Sequence, residues 1–236
     1  VRIFEFLDEL YPLNITYNKS IWRDLKSYDP DFIGFGVISS TFRISQRLIS
    51  KVREEIPGKI IICGGKHATS NPKDLLSHGA DICTIGESEI TLVELLDALN
   101  FNEPLENVKG IAYSKDSKIE FTHQRSLLPM DGILRPAFEL VDYEKYVDFR
   151  LQSIPGHYLR SGFIFGSRGC PYRCEFCTTH IRSSYRERSI DDLIDEIEWQ
   201  INKFNIEGFV VLDDLFYFRE SRTVEFCKKI IERKIK

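Results

Sequence analysis

Three cysteines lie within eight residues, in the stretch GSRGCPYRCEFCTTH at residues 166–180. Cys170, Cys174 and Cys177 have the spacing C-x3-C-x2-C. A structural zinc site usually takes four ligands, often as two separated pairs, and His180 is a nearby residue that could act as the fourth. Three thiolates on one loop can instead bind three irons of a [4Fe–4S] cluster and leave one iron open for an outside ligand. The pattern favours the cluster, with zinc and an incidental grouping as alternatives.

The composition indicates a folded protein with no surplus of positive charge. Hydrophobic residues make up 42% of the 236 residues, enough for a packed core, and the formal net charge is −4. A nucleic-acid partner is disfavoured, because such proteins usually carry a basic patch. No membrane-spanning apolar run and no signal peptide is apparent, which predicts a cytoplasmic protein without a membrane partner. Cysteines stay reduced in the cytoplasm, which favours a metal or redox site over disulfides.

The first 105 residues alternate between predicted strands and predicted helices. Apolar runs and helical spacing predict, in chain order, a strand at 31–39, a helix at 40–56, a strand at 59–65, a helix at 71–79, a strand at 81–86 and a helix at 87–100. Strands that alternate with helices at this spacing form parallel sheets covered by helices on both faces. The sequence therefore predicts a doubly wound, Rossmann-like α/β domain over residues 1–105.

The α/β alternation is interrupted after residue 105 and returns near residue 161. Residues 110–122 predict a hairpin, and the Pro-rich and Gly-containing residues 127–148 predict a linker. A strand at 161–167 then leads directly into the cysteines, and the following segments predict a helix at 189–205, a strand at 208–214 and a helix at 220–234. We therefore predict a hairpin and linker over residues 106–160 and a second α/β segment over residues 161–236.

The string GCPYRCEFC after an apolar strand resembles the signature of the radical S-adenosylmethionine (SAM) enzymes. The resemblance implies that Cys170, Cys174 and Cys177 hold a [4Fe–4S] cluster whose open iron is chelated by the amino and carboxylate groups of SAM. An electron from the cluster would cleave the sulfonium and yield a 5′-deoxyadenosyl radical. It also implies an electron donor such as a flavodoxin or ferredoxin.

The same resemblance implies four further contacts with SAM. Phe176 would pack near the adenine, Asp213 and Asp214 would bind the α-amino group, and Arg188 in the string YRERS would reach the cofactor. Because neighbouring residues on a strand point to opposite faces, we expect only one of the two aspartates to face the cavity, and we favour Asp213. Strand-end solvation and helix capping are the alternatives for these polar residues.

Residues 64–99, which begin GGKHAT and contain GESEIT, resemble the cobalamin-binding domain that precedes the barrel in one branch of this superfamily. The resemblance implies that Gly64 and Gly65 end a strand where the backbone can approach cobalamin. The string D-x-H-x-x-G, which supplies a histidine to cobalt, is absent, and His67 follows a later strand and is not its equivalent. Cobalamin without a protein ligand on cobalt and a scaffold sheet without cobalamin are the two interpretations.

Several other residues have ordinary structural interpretations. Lys66 and His67 follow a strand's carboxyl end, where ligands bind in open α/β sheets, and they predict either pocket lining or surface loop. Glu87 and Glu89 are predicted first-turn acids of the following helix. The remaining cysteines are predicted to be small buried residues: Cys63, Cys83 and Cys227.

The segment after residue 161 predicts an incomplete (β/α) barrel. The superfamily's barrel normally has six strand–helix units, each needing about 30 residues, whereas the sequence from residue 162 onward holds two. We therefore expect a fragment of a longer protein. The predicted function is a radical SAM enzyme, acting by cobalamin-dependent methyl transfer or carbon-centred radical rearrangement on an unidentified small-molecule or peptide substrate. The alternative is a non-catalytic module that binds zinc or an electron-transfer iron–sulfur cluster.

Overall fold

The computed structural model describes residues 3, 19–116, 118–147, 159–175, 177 and 185–235. Backbone contacts divide the chain into two compact units. The N-terminal unit comprises Phe4–Leu127, and the C-terminal unit comprises Leu128–Lys236 together with Val1–Ile3. None of the helices in the described part of the chain combines the length and the apolar content needed to cross a membrane.

The N-terminal unit is built on a five-stranded sheet in the order β1-β2-β3-β4-β5. Its helices and strands are, in chain order, α1 Lys19–Tyr28, β1 Phe32–Gly36, α2 Phe42–Glu55, β2 Ile60–Gly64, α3 Lys66–Ser70, α4 Pro72–Leu76, β3 Ile82–Thr84, α5 Glu89–Phe101, β4 Ile111–Lys115 and β5 Lys118–Phe121. Strands β1, β2 and β3 are parallel, which confirms the predicted α/β sheet. The predicted hairpin forms β4 and β5, which extend the same sheet in antiparallel pairing. The domain boundaries at residues 105 and 160 remain predictions.

Side chains of β2 enter two hydrophobic cores on opposite faces of the sheet. Ile61 and Cys63 pack in a cluster with buried residues of α1, α2 and α4. Ile62 points the other way and packs in a cluster with Leu95 and Ala98 of α5. This alternation is the period of a strand covered on both sides. Helices therefore cover both faces of the sheet, as the sequence predicts.

The C-terminal unit contains two consecutive strand–helix pairs. Its elements are α6 Glu144–Val147, β6 Ser161–Ile164, β7 Ser167–Arg168, β8 Arg186–Glu187, α7 Ile190–Phe204, β9 Gly208–Val211 and α8 Glu220–Glu232. Strands β6 and β9 are parallel partners, and β7 pairs antiparallel with β8. Ser189 caps α7 as predicted, because its Oγ accepts from the N–H of Asp192 at 3.2 Å. The order β6, α7, β9, α8 matches the two barrel units predicted from the sequence.

The three cysteines outside the loop have different environments. Cys63 and Cys83 are register partners on β2 and β3 and are fully buried, as predicted. Burial raises the pKa of Cys83 to about 12 and also raises the pKa of Cys63, so both thiols stay protonated and act as core residues. Cys227 is exposed on α8, and its predicted burial is wrong. Phe226 and Ile230 turn toward the core, and a residue one position after Phe226 is rotated off that face.

Candidate metal and cofactor site

The cysteine loop starts just after β6 and runs from β7 to β8. Gly169 has a φ of +86°, a conformation that favours glycine, immediately before Cys170. The N–H of Cys177 donates to the carbonyl oxygen of Cys174 at 3.0 Å, which brings the backbone of these two ligand candidates together. Cys170 and Cys177 are half-buried, Cys174 is exposed, and none of the three forms a disulfide with another described residue. Phe176 and His180, which the sequence also singled out, lie outside the described residues.

The thiols fit an iron–sulfur cluster through the chemistry of the donor set. Accessible thiols can be reached by iron, in contrast to the buried pair Cys63 and Cys83. Among the residues that the structure describes, no group of three or more His, Cys, Asp and Glu side chains is arranged around one metal position. The three thiols offer the right ligand type and spacing on one loop.

The carboxylate of Asp213 joins the end of β9 to the beginning of the cysteine loop. Its Oδ1 accepts from the N–H of Gly166 at 2.7 Å, and its Oδ2 accepts from Oγ of Ser167 at 2.5 Å. Burial raises the pKa of Asp213, and the two hydrogen bonds oppose that rise because they favour the charged form. Asp214 is exposed at the same strand end. The two predicted SAM contacts thus lie beside the cysteine loop, with Asp213 directed toward Gly166 and Ser167.

The guanidinium of Arg188 is almost completely buried against α7. Nε donates to Asp192 Oδ2 at 2.7 Å, and Nη1 donates to Glu196 Oε2 at 2.6 Å and to the carbonyl oxygen of Phe165 at 3.1 Å. Burial by itself lowers the pKa of Arg188, but the two carboxylates outweigh burial and the pKa is raised. The structure therefore gives this side chain a role in holding α7 beside β6. Its contact with SAM stays a prediction.

Arg222 on α8 is a site residue that the sequence reasoning missed. Its guanidinium is buried, Nη1 donates to the carbonyl oxygen of Arg188 at 2.7 Å, and Nη2 donates to the carbonyl oxygen of Gly166 at 3.0 Å. In the sequence Arg222 is one of several charged residues on an amphipathic helix, a pattern that usually indicates a solvated face. Its single distinguishing signal is its place in the first turn of α8, the helix that follows the strand-end aspartates.

Gly64 and Gly65 lie at the carboxyl end of β2, as the sequence predicts. Gly65 has a φ of +96°, and a Cβ on it would lie 2.7 Å from the carbonyl oxygen of Val37. A Cβ on Gly64 would lie 2.8 Å from Oγ1 of Thr84. The absence of a Cβ at both positions therefore lets this end of β2 lie close to Val37 and Thr84. Gly65 is also exposed. The exposed backbone of Gly65 lies at the carboxyl end of a strand, where ligands bind in open α/β sheets.

His67 is buried directly after these glycines. Its Nδ1 lies 3.1 Å from Oγ of Ser39, and its ring stacks on Phe42 with the centroids 4.3 Å apart. Lys66 is exposed beside it, and Glu89 lies in the first turn of α5 as predicted. The imidazole is therefore packed into the N-terminal unit rather than presented at its surface.

Substitution of Gly65 should destabilise the N-terminal unit more than substitution of another glycine with positive φ. We expect Gly65→Ala to cost about 3 kcal/mol or more, because it combines a strained conformation with a clash against Val37. Gly58→Ala is the matched control, since Gly58 has a φ of +82° and open space around its Cβ position. It should cost roughly 1–2 kcal/mol. Urea unfolding in a Trp199→Phe background, in which Trp22 reports on this unit, measures both; equal losses would contradict the clash.

Known proteins resemble the chain over most of its length. Residues 9–96 match the family model of the B12 binding domain. The chain is 26% identical over 236 residues to an uncharacterized methyltransferase of Pyrococcus horikoshii, covering 98% of the chain and 48% of that protein. It is 30% identical over 206 residues to the anaerobic magnesium-protoporphyrin IX monomethyl ester cyclase of Synechocystis sp., covering 86% of the chain and 40% of that cyclase. The chain thus spans less than half the length of these relatives.

Two solved structures share the fold over more than nine-tenths of the chain. The radical S-adenosylmethionine methyltransferase TsrM from Kitasatospora setae superposes with a TM-score of 0.72 at 17% identity, covering 93% of the chain and 44% of TsrM. The cobalamin-dependent S-adenosylmethionine radical enzyme OxsB superposes with a TM-score of 0.70 at 21% identity, covering 92% of the chain and 30% of OxsB. At these identities the likeness concerns the fold. Together with the B12-binding match, it shows that the chain has the fold of these radical SAM enzymes, with an N-terminal domain of the B12-binding type.

Proposed function

We propose that the chain is the cofactor-binding part of a radical SAM enzyme that also uses cobalamin. The observation that carries this proposal is the position of Cys170, Cys174 and Cys177, on a loop that leaves the carboxyl end of β6. Ligands bind at this end of the strands in α/β folds. A [4Fe–4S] cluster held by the three thiolates would supply an electron to SAM and keep one iron open for it.

The chain's own residues would position SAM and keep the site rigid. Carboxylates at a strand end attract the cationic groups of SAM more strongly when they are shielded from water. Asp213 and Asp214 lie at that end, and Asp213 already accepts two hydrogen bonds from the cysteine loop. The sequence favours Asp213 for the α-amino group of SAM, but that carboxylate is engaged by the cysteine loop. We therefore propose that the more accessible Asp214 binds the α-amino group, and that Asp213 contributes through the loop as well as through its charge.

Separate substitutions should divide these two roles. We expect Asp214→Asn to weaken SAM binding by about 1.5–3 kcal/mol with the cluster content unchanged, the scale of a hydrogen bond to a charged group. Asp213→Asn should lower the cluster content as well. Asparagine keeps one acceptor oxygen and replaces the other with an NH2 donor, so either the Gly166 N–H or the Ser167 hydroxyl loses its acceptor. Titration of the reconstituted protein with SAM and an iron assay measure both effects. Unchanged SAM affinity in both variants would exclude this strand end from the cofactor site.

We propose that cobalamin binds at the strand ends of the N-terminal unit without a histidine on cobalt. The B12 binding family model that matches residues 9–96 supports the first part. Exposed Gly65 supplies backbone that a planar ligand can approach, and the packing of His67 against Phe42 and Ser39 argues against that imidazole as a cobalt ligand. Gel filtration after incubation with hydroxocobalamin tests this, since corrinoid absorbance should elute with the protein.

The proposed reaction is methyl transfer or a carbon-centred radical rearrangement. Relatives named as methyltransferases and as an anaerobic cyclase support this range. The substrate would be a small molecule or peptide, the electron donor a flavodoxin or ferredoxin, and the compartment the cytoplasm. These assignments concern the whole protein, of which the chain spans less than half in comparison with its relatives.

Anaerobic reconstitution with iron and sulfide is the test of the proposed function. We expect a brown protein with about four irons per chain, whose reduced cluster gives an EPR signal that SAM perturbs. A bound cluster whose signal does not respond to SAM would favour an electron-transfer module. A colourless protein that retains one zinc ion would contradict the proposal and support a structural zinc site.

A further inference from the structure

We infer that Arg222 is a positioning residue that closes the base of the cysteine loop, with Asp213 as its partner. The loop base is defined here as Gly166 and Ser167, where the loop begins, and Arg188, where it ends. The inference rests on the proposed function in one respect, because the loop is taken to carry the cluster. It assigns to α8 the task of holding the cysteines in place.

Arg222 bridges the two ends of the loop. The cysteines lie between β7 and β8, and Gly166 directly precedes β7 while Arg188 directly follows β8. Arg222 donates to the carbonyl oxygens of these two residues, at 3.0 and 2.7 Å. The N–H of Arg188 also donates to the carbonyl oxygen of Gly166 at 2.9 Å. The guanidinium of Arg222 therefore binds both chain segments that flank the loop. All three cysteines lie between these two segments.

Opposite charges hold the two polar backbone groups of Gly166. The carboxylate of Asp213 accepts from its N–H at 2.7 Å, and the guanidinium of Arg222 donates to its carbonyl oxygen. Hydrogen bonds with an ionised partner are shorter and stronger than neutral ones. Both charged side chains come from the β9–α8 part of the chain, so the second strand–helix pair fixes the direction in which the loop leaves the first.

The surroundings of Gly166 leave it little freedom to move. A Cβ at this position would lie 3.1 Å from Leu193 of α7 and 3.1 Å from Phe216, with the Asp213 carboxylate at 3.4 Å. A residue enclosed in this way transmits a shift of its neighbours to the loop, because close-packed interiors do not absorb small displacements. Gly166 is four residues before Cys170, the first proposed ligand.

The pairing of Arg222 is directed at the loop base more than at a carboxylate. Burial lowers its pKa, which marks a charge removed from water at a cost. Its Nε lies 3.6 Å from Glu187 Oε1, within ion-pair range, and has no hydrogen-bond partner among the residues the structure describes. The buried guanidinium makes two hydrogen bonds, both to backbone carbonyl oxygens of the loop base.

Arg222→Gln and Arg222→Lys test the inference, with Arg233→Gln, at the C-cap of α8, as control. Arg233 is more exposed and forms ion pairs with Asp195 and Glu198 of α7. In the reconstituted chain we expect Arg222→Gln to lose iron to a chelator about 10- to 100-fold faster, the equivalent of one charge-assisted hydrogen bond. Arg222→Lys should be intermediate, because one ammonium cannot bridge both carbonyl oxygens in the fork geometry of arginine. The control should match the parent, and SAM should perturb the EPR signal less in both Arg222 variants.

Hydrogen exchange on the chain without iron separates failure of this inference from failure of the proposed function. We expect Arg222→Gln to raise exchange in peptides that contain Gly166 and Arg188 and to leave α7 protected. If the parent binds no cluster, the proposed function fails and the exchange comparison still decides the role of Arg222. Exchange at the loop base equal to that of the parent would overturn the inference. So would loss of protection throughout the C-terminal unit in both Arg222 variants, since that result indicates a general structural role.

Discussion

Replacing any one of Cys170, Cys174 and Cys177 with alanine should abolish iron retention by the reconstituted chain. In the proposed site each thiolate binds one iron, and two thiolates on a loop with an exposed member cannot hold the cluster. We expect each variant to emerge colourless from gel filtration after anaerobic reconstitution, with iron and sulfide near background. Since the three thiols belong to a loop and not to a hydrophobic core cluster, unfolding of the chain without iron should change little.

Cys227→Ala is the matched control for these variants. Cys227 is also a free thiol, and its exposure on α8 gives iron access to it. We expect this variant to retain as much iron and sulfide as the parent, because Cys227 is separated from the loop in sequence and belongs to an element of its own. Equal loss of iron in Cys227→Ala and in the loop variants would show that the ligand assignment is wrong.

The α/β architecture could be predicted because its signals are local. Strand β2 is an apolar run bounded by Gly58 and Gly65, and the buried residues of α2 follow helical spacing at Ser45, Leu48, Ile49 and Val52. Some short elements carry no such signal. Helix α3 has five residues and was not predicted, and the edge position of β5 depends on its pairing with β4 rather than on its own pattern.

The candidate site also has a part that the sequence could predict and a part that it could not. The cysteines were visible because ligand spacing is written within eight residues of sequence. The loop base was not, because its bonds join residues far apart: Asp213 is 47 positions from Gly166, and Arg222 is 56 positions from it. Arg188 was singled out through a resemblance to a cofactor contact, whereas the structure shows its ion pairs with Asp192 and Glu196. Tertiary contacts between charged residues have no short-range pattern that would reveal them.

Glu196→Ala should produce the largest loss of stability in the C-terminal unit. Glu196 is 2% exposed, its Oε2 accepts from Arg188 at 2.6 Å, and its Oε1 accepts from Gln200 Nε2 at 3.3 Å. Removing one member of a buried ion pair leaves a buried charge with too few partners, and typically costs about 3–5 kcal/mol. Urea unfolding in a Trp22→Phe background measures this, because Trp199 lies on the same helix.

Glu198→Ala is the control, since Glu198 is on the same helix and pairs with Arg233 near the surface. Surface pairs of this kind contribute about 0–1 kcal/mol, so the free energy of unfolding should fall by no more than that. A loss in Glu196→Ala as small as in the control would mean that the buried pair does not support the fold.

The double variant Arg188→Met, Glu196→Leu separates the structural role of Arg188 from its predicted contact with SAM. Replacing both members of a buried ion pair with apolar residues of similar size often changes stability little. We therefore expect the double variant to regain most of the free energy of unfolding that Glu196→Ala loses. If Arg188 acts only within the fold, the double variant should also recover SAM affinity in the reconstituted chain. Recovered stability with weakened SAM binding would instead show that the guanidinium reaches the cofactor, as the YRERS string suggested. In either case the buried pair explains why Arg188 is held between β6 and α7, next to the loop that carries the cysteines.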